Sequence, residues 1–269
     1  MKYNIQTITD NSIKLLYQYC PNLFHFIKDD VIIEFVKRSF IFIEEIEGEK
    51  KKRNFISIII DLASQHKKGY GELLSEFEYF NFLLGEFHNY QPNSIQFGNL
   101  LKASILNLNT NDFHNSLAEI AVLLNTITEY EFVKYEYELE NGKQIDLVFR
   151  NESDKINFYI DVVTIHFNLN DYIDQKDFEK KITTKVRRKY ESKTVLLEPK
   201  LKNLIYIAPV ISGLKDNIVQ ENLHFLKTFK GIYDPATDIG FNSIQLQFFA
   251  KYGNNTFGLI DATTFEKQG

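Results

Sequence analysis

The sequence predicts an α/β protein: an N-terminal all-helical region over residues 1–108, then a mixed sheet flanked by helices over 109–269. Three observations carry that reading. Up to Leu106 the apolar residues recur at three- and four-residue spacing, the period of a helix with one buried face. From Val133 the period changes to two, as in a half-buried strand. Beyond Thr110 the order of elements reads helix, three strands, helix, strand, the alternation from which mixed sheets are built.

In the first region the helical segments are Ser12–Tyr19, Asp30–Ile46, Phe55–His66, Glu72–Phe87 and Phe97–Leu106. The charged run Gly48–Arg53, the Gly69-Tyr70-Gly71 stretch and the polar segment around Pro92 separate them, since each resists continuing a helix. Thr110, Asn111 or Asp112 can cap the next helix, which runs to about Thr128 with Leu117, Ile120, Ala121 and Leu124 on its buried face. Val133, Tyr135, Tyr137 and Leu139 then alternate with Lys134, Glu136 and Glu138. Asn141-Gly142 follows, a hairpin signal because both residues tolerate positive φ. The second strand covers Gln144–Arg150 and the third Phe158–Phe167; a basic helix, Lys176–Ser192, leads to a fourth strand, Asn203–Val210. Further on, Asp216–Phe229 has helical spacing, Asn242–Ala250 and Thr256–Ile260 read as strands, and Tyr233-Asp234-Pro235 reads as a turn.

Composition excludes several classes of function. A single cysteine, Cys20, permits neither an intramolecular disulfide nor a cysteine-built zinc site, which fits a reducing, cytoplasmic compartment. The N-terminus lacks the basic and apolar regions of a secretory signal, and no apolar run is long enough to span a bilayer. No two of the six histidines are three or four residues apart, and no Gly-rich phosphate loop or nucleophile-elbow motif occurs. The net charge of −5 argues against a non-specific nucleic-acid binder, yet Lys176–Lys202 carries ten basic residues against four acids. One basic segment on an otherwise acidic chain suits a single phosphate-facing edge, and equally a solvated helix face.

Three acids occupy telling places. Glu119 lies in the middle of the first helix after the change of period, Asp146 in GKQIDLVF on the second strand, and Asp161 in FYIDVVTIHF on the third. Asp146 stands between Ile145 and Leu147, and Asp161 between Ile160 and Val162; a carboxylate among such neighbours needs a partner or a metal. Two carboxylates from adjacent strands and one from a helix form an all-oxygen set suited to Mg²⁺ or Mn²⁺.

The helix Glu119, the hairpin with GKQIDLVF, the strand with YIDVVT and the basic helix KDFEKKITTKVRRKYES together resemble the PD-(D/E)xK nucleases, the restriction-endonuclease-like fold, over about Asn111 to Val210. The resemblance implies a metal-dependent DNA endonuclease, of the kind that serves restriction or phage defence, with Glu119, Asp146 and Asp161 as metal ligands. The N-terminal helices would then serve recognition or regulation, and a homodimer would suit double-strand cutting. Two departures stand out: Ile145 replaces the proline, and Val163 occupies the place of the catalytic lysine. Period-two geometry sets Val163 on the same face as Asp161, where it cannot neutralise charge. On the basic helix, Phe178, Ile182 and Val186 form the buried stripe, with Lys181, Lys185 and Arg188 flanking it. Some members of the superfamily supply the lysine from this helix, which makes Lys185 the first candidate and Lys181 the second; Lys181, Lys185, Arg188 and Lys189 would contact nucleic acid. The same residues could instead be surface lysines whose stems cover the apolar stripe. The competing function is a catalytically degenerate nuclease-fold module that binds nucleic acid or a protein partner, and a third reading makes the sheet acids purely structural.

Overall fold

The computed structural model describes residues 5–45, 71–90, 110–166, 174–212, 233–234, 239–240, 243–247 and 259–264. The chain divides into two compact units, Met1–Leu117 and Ala118–Gly269. The boundary expected at 108/109 lies outside the described residues, as do the segments 55–66, 97–106 and 216–229.

Among the described residues, the first unit holds α1 (Ile5–Tyr19), a 3-10 turn (Pro21–His25), α2 (Asp29–Glu45) and α3 (Gly71–Tyr90). Leu16, Cys20, Leu23, Ile27, Ile32 and Val36 are buried, with Phe80, Leu83, Leu84 and Phe87 of α3. The apolar spacing of α2 predicts a buried stripe of Val31, Phe35, Phe42 and Ile46; the structure turns the helix by one residue, burying Ile32 and Val36 and leaving Val31 and Phe35 partly buried, while the side chains of Phe42 and Ile46 lie outside the described residues. The Cys20 thiol is held above its ordinary range by burial, which fits a small core hydrophobe rather than a nucleophile. The 3-10 turn is tied to α3 by Asn22, whose backbone N–H donates to Asn81 Oδ1 at 2.8 Å while its Nδ2 donates to the Asn81 carbonyl at 2.9 Å. Gly85 makes room for that pair, since a Cβ there would stand 2.7 Å from Asn22 Nδ2.

Helix α4 (Thr110–Thr126) crosses the unit boundary. It buries Leu117, Ile120 and Ala121 as expected, whereas Leu124 is only partly buried. The second unit is built on a six-stranded mixed sheet in the order β1-β2-β3-β4-β7-β8. Its strands are β1 (Glu131–Glu138), β2 (Gln144–Arg150), β3 (Asn157–His166), β4 (Ile205–Ser212), β7 (Ser243–Gln247) and β8 (Leu259–Thr264). The pairs β1–β2, β2–β3 and β7–β8 are antiparallel; β3–β4 and β4–β7 are parallel. Parallel neighbours need a long crossover, and between β3 and β4 it contains α5 (Gln175–Thr194) and the short α6 (Pro199–Lys202).

Tyr233 and Asp234, expected in a turn, form a two-residue strand, β5, against β6 (Ile239–Gly240). The hairpin also differs in detail. Leu139 N–H donates to the Lys143 carbonyl and Gly142 N–H to the Leu139 carbonyl, each at 2.8 Å. Gly142 alone takes positive φ (74°), while Asn141 does not, so the loop has three residues instead of two. That frees the Asn141 side chain, whose Nδ2 donates to the carbonyls of Lys193 and Val195 at 2.9 and 2.7 Å and satisfies the C-terminal end of α5. Beneath this junction Leu139, Ile145, Leu197 and Ile205 form a buried cluster with Tyr137, Tyr159, Tyr190 and Leu201. The hairpin and the end of α5 are thereby fixed to one another.

Candidate functional site

Asp146 and Asp161 are brought together by strand register. The β2–β3 ladder pairs Arg150 with Asn157, Phe149 with Phe158, Val148 with Tyr159 and Leu147 with Ile160. One further step sets Asp146 beside Asp161 on a common face. There the backbone ladder gives way, and Asp146 Oδ2 accepts from the Val162 N–H at 2.7 Å. A side chain has replaced a ladder bond at the point where the two acids meet.

Asp161 lies on β3, an interior strand of the sheet, and is completely buried. Its oxygens have no hydrogen bond of good angle, but each lies against an ammonium: Lys189 Nζ is 3.0 Å from Oδ2 and Lys193 Nζ 2.9 Å from Oδ1. We treat these as ion pairs, because at such distances in a buried setting charge matters more than the angle. Lys193 also donates to the Gln144 carbonyl. Helix α5 aims both lysines: it is capped by Asp174, which accepts from the Asp177 N–H at 2.8 Å, and it buries the predicted stripe Phe178, Ile182 and Val186. Lys185, Lys189 and Lys193 then follow one another at four-residue intervals along one helix face.

Lys185 reaches the same region differently. Its Nζ donates to the Thr164 carbonyl at 3.4 Å, next to Val163, and burial together with Lys181 holds its ammonium below the ordinary lysine range. Lys181 is half-buried, Arg188 exposed and Val163 partly buried, paired in register with Pro209. Burial pulls the Lys189 ammonium down, but Asp161, Asp146 and Glu119 outweigh it and hold the net value above the ordinary one.

Glu119 completes the acidic group from α4. Its Oε2 accepts from the Tyr135 hydroxyl at 2.8 Å. Burial, then repulsion from Asp146, pushes the Glu119 carboxyl up to about 8, against a pull downward from the Tyr135 hydroxyl. Burial, then repulsion from Asp161, pushes Asp146 up to about 7, against Lys189, the Val162 N–H and Lys193. Both residues are partly buried. Across from Asp146 the backbone of β1 turns through a positive φ of 49° at Glu136. For a non-glycine residue this is a strained conformation of the sort found at functional sites.

The sequence singles out the three acids and gives Lys189 a nucleic-acid contact; the structure sets Lys189 on Asp161 and adds Lys193 and Tyr135, which the sequence does not single out. Lys193 could have been found by extending the Lys185–Lys189 spacing one more turn. The alternation puts Tyr135 on one face of β1 with Val133, Tyr137 and Leu139, yet nothing in the sequence says that its hydroxyl meets Glu119.

The site gathers three carboxylates, oxygen donors of the kind that hard divalent cations take, and burial first and neighbouring negative charge second raise two of them, Glu119 and Asp146. The third, Asp161, is covered by Lys189 and Lys193. Among the described residues no three of His, Cys, Asp or Glu are arranged to hold a metal ion.

The raised acids fix the sign of a pH effect. A carboxyl whose folded value lies above its unfolded one stabilises the fold at low pH, and the contribution is lost as pH rises through the folded value. For Glu119 that window runs from its ordinary 4.5 to about 8. Glu119→Gln keeps an oxygen for the Tyr135 hydroxyl but carries no charge. In metal-free buffer it should match the wild type near pH 5 and become the more stable protein near pH 8, as read by thermal melts.

Comparison with known protein families, curated proteins and solved structures gives no match to this chain. Among the described residues, no helix is long and apolar enough to cross a membrane.

Proposed function

We propose that this protein is a metal-dependent endonuclease of the restriction-endonuclease-like kind, hydrolysing DNA phosphodiester bonds, with restriction or phage defence as its setting. The observation that carries the reading is the meeting of Asp146 and Asp161 on adjacent strands, with Glu119 beside them and the Lys189 ammonium 3.0 Å from Asp161. Glu119, Asp146 and Asp161 would hold Mg²⁺ or Mn²⁺. A bound divalent cation supplies a Lewis acid that neutralises charge on a phosphate oxygen and acidifies water. Tyr135 orients Glu119 through one oxygen and leaves the other for ligation. Lys189 takes the part that Val163 cannot, setting a positive charge beside the scissile phosphate. Lys181, Lys185 and Arg188, on the same basic helix, track the strand through its phosphates.

The test is incubation of the full chain with supercoiled and linear duplex DNA in Mg²⁺ or Mn²⁺. Strand scission that stops on adding a chelator is the expected result. Retained binding without scission on duplex or single-stranded DNA would replace this reading with the degenerate nucleic-acid-binding module. Val163 and the full occupation of Asp161 by two lysines are what favour that second reading.

A further inference from the structure

The two lysines on Asp161 are not equivalent. The Lys193 side chain is 15% exposed, and its ammonium is anchored twice, on Asp161 Oδ1 and on the Gln144 carbonyl. Its own backbone carbonyl is held by Asn141. The Lys189 side chain is 31% exposed, and its ammonium pairs with Asp161 Oδ2. Swinging Lys189 toward solvent breaks one ion pair and gives up the attraction of Asp146 and Glu119, whereas withdrawing Lys193 breaks an ion pair and a bond to the sheet and uncovers a more buried ammonium.

Asp146 stands beside Asp161 in the strand register, and Glu119 joins them from α4. A divalent cation that ligates all three acids needs an oxygen of Asp161, and the Oδ2 side is the one covered by the more exposed lysine. Resting on the metal-site reading above, we infer that Lys189 is a latch: its ammonium and a divalent cation compete for Asp161 Oδ2, and cation binding releases Lys189 toward the substrate phosphate. Lys193 stays in place and is a positioning residue that holds Asp161 against β2. A site closed by its own lysine binds metal weakly until a phosphate arrives to receive the displaced ammonium, which couples metal loading to substrate.

The latch makes an unusual demand of a lysine beside the reaction: its removal must improve metal binding. Calorimetric titration of the full chain with Mn²⁺ should show Lys189→Met binding on the order of tenfold more tightly than wild type, because a competing charge is gone. Lys189→Arg, which keeps the charge, should bind like wild type. Should Lys189→Met fold poorly, Lys189→Gln serves in its place. On the wild-type chain, the ¹⁵N signal of the Lys189 ammonium should lose its protection from exchange on saturation with Mg²⁺, while that of Lys193 keeps it. Equal or weaker Mn²⁺ affinity in both neutral variants, or a Lys189 signal unmoved by saturating Mg²⁺, overturns the latch and leaves the metal site standing. Absence of binding in wild type and variants alike overturns the latch together with the metal-site reading.

Discussion

Asp146→Asn should abolish DNA cleavage, by at least about a thousandfold, while leaving the protein folded. The geometry separates the two effects. Asp146 Oδ2 takes the Val162 N–H, and an asparagine oxygen can accept that bond equally well. The other oxygen, which the proposed function gives to the cation, becomes an amide nitrogen that cannot ligate. Loss of one negative charge beside Glu119 and Asp161 relieves repulsion, so thermal stability near pH 8 should stay within about 1 kcal/mol of wild type or rise. Cleavage assays and thermal melts on the same preparation check both halves. Residual cleavage near the wild-type rate would remove Asp146 from the site.

The same substitution one strand over should behave in the opposite way. Asp161→Asn should destabilise the fold by roughly 3 kcal/mol, whether or not metal is present. Asp161 is fully buried between two ammoniums, and each of its oxygens answers one of them. An asparagine there would present its Nδ2 to one lysine, donor against donor, and remove the one carboxylate paired with both ammoniums. The loss belongs at the lower end of what orphaning a buried ion costs, because Lys189 can turn toward water and Lys193 keeps the Gln144 carbonyl. Urea denaturation of the two asparagine variants side by side is the check. Equal stabilities would mean that the lysine pairs contribute little.

What the sequence revealed follows the range over which each signal acts. Strand β2 was read to its residue limits because alternation and a glycine turn are local. Helix α5 was found within two residues at either end, since Phe178, Ile182 and Val186 mark its buried face whatever lies beneath. The turn residues at Tyr233 pair with Ile239–Gly240, a contact that local composition does not encode. Nor does any local pattern say that β7 lies parallel to β4, because that pairing joins distant parts of the chain. The candidate site divides along the same line. Asp146 and Asp161 were conspicuous as acids inside apolar strands. Lys189 reads from the sequence as a nucleic-acid contact beside Arg188, and Lys193 as one more residue of the basic run; only the crossing of α5 with β3 sets both on Asp161 and leaves Arg188 exposed. Lys185 illustrates the limit well: it was chosen for reach, and it does reach β3, but its ammonium meets the Thr164 carbonyl rather than a carboxylate.

The central claim is that Glu119, Asp146 and Asp161 form one cation site. Calorimetric titration with Mn²⁺, on the wild-type chain and on Asp146→Asn, tests it most directly, with a short DNA duplex present to receive the displaced lysine. The account predicts saturable binding in the wild type that disappears in the variant. Binding of equal strength in both would contradict it, as would a wild-type chain that takes up no metal even with DNA bound.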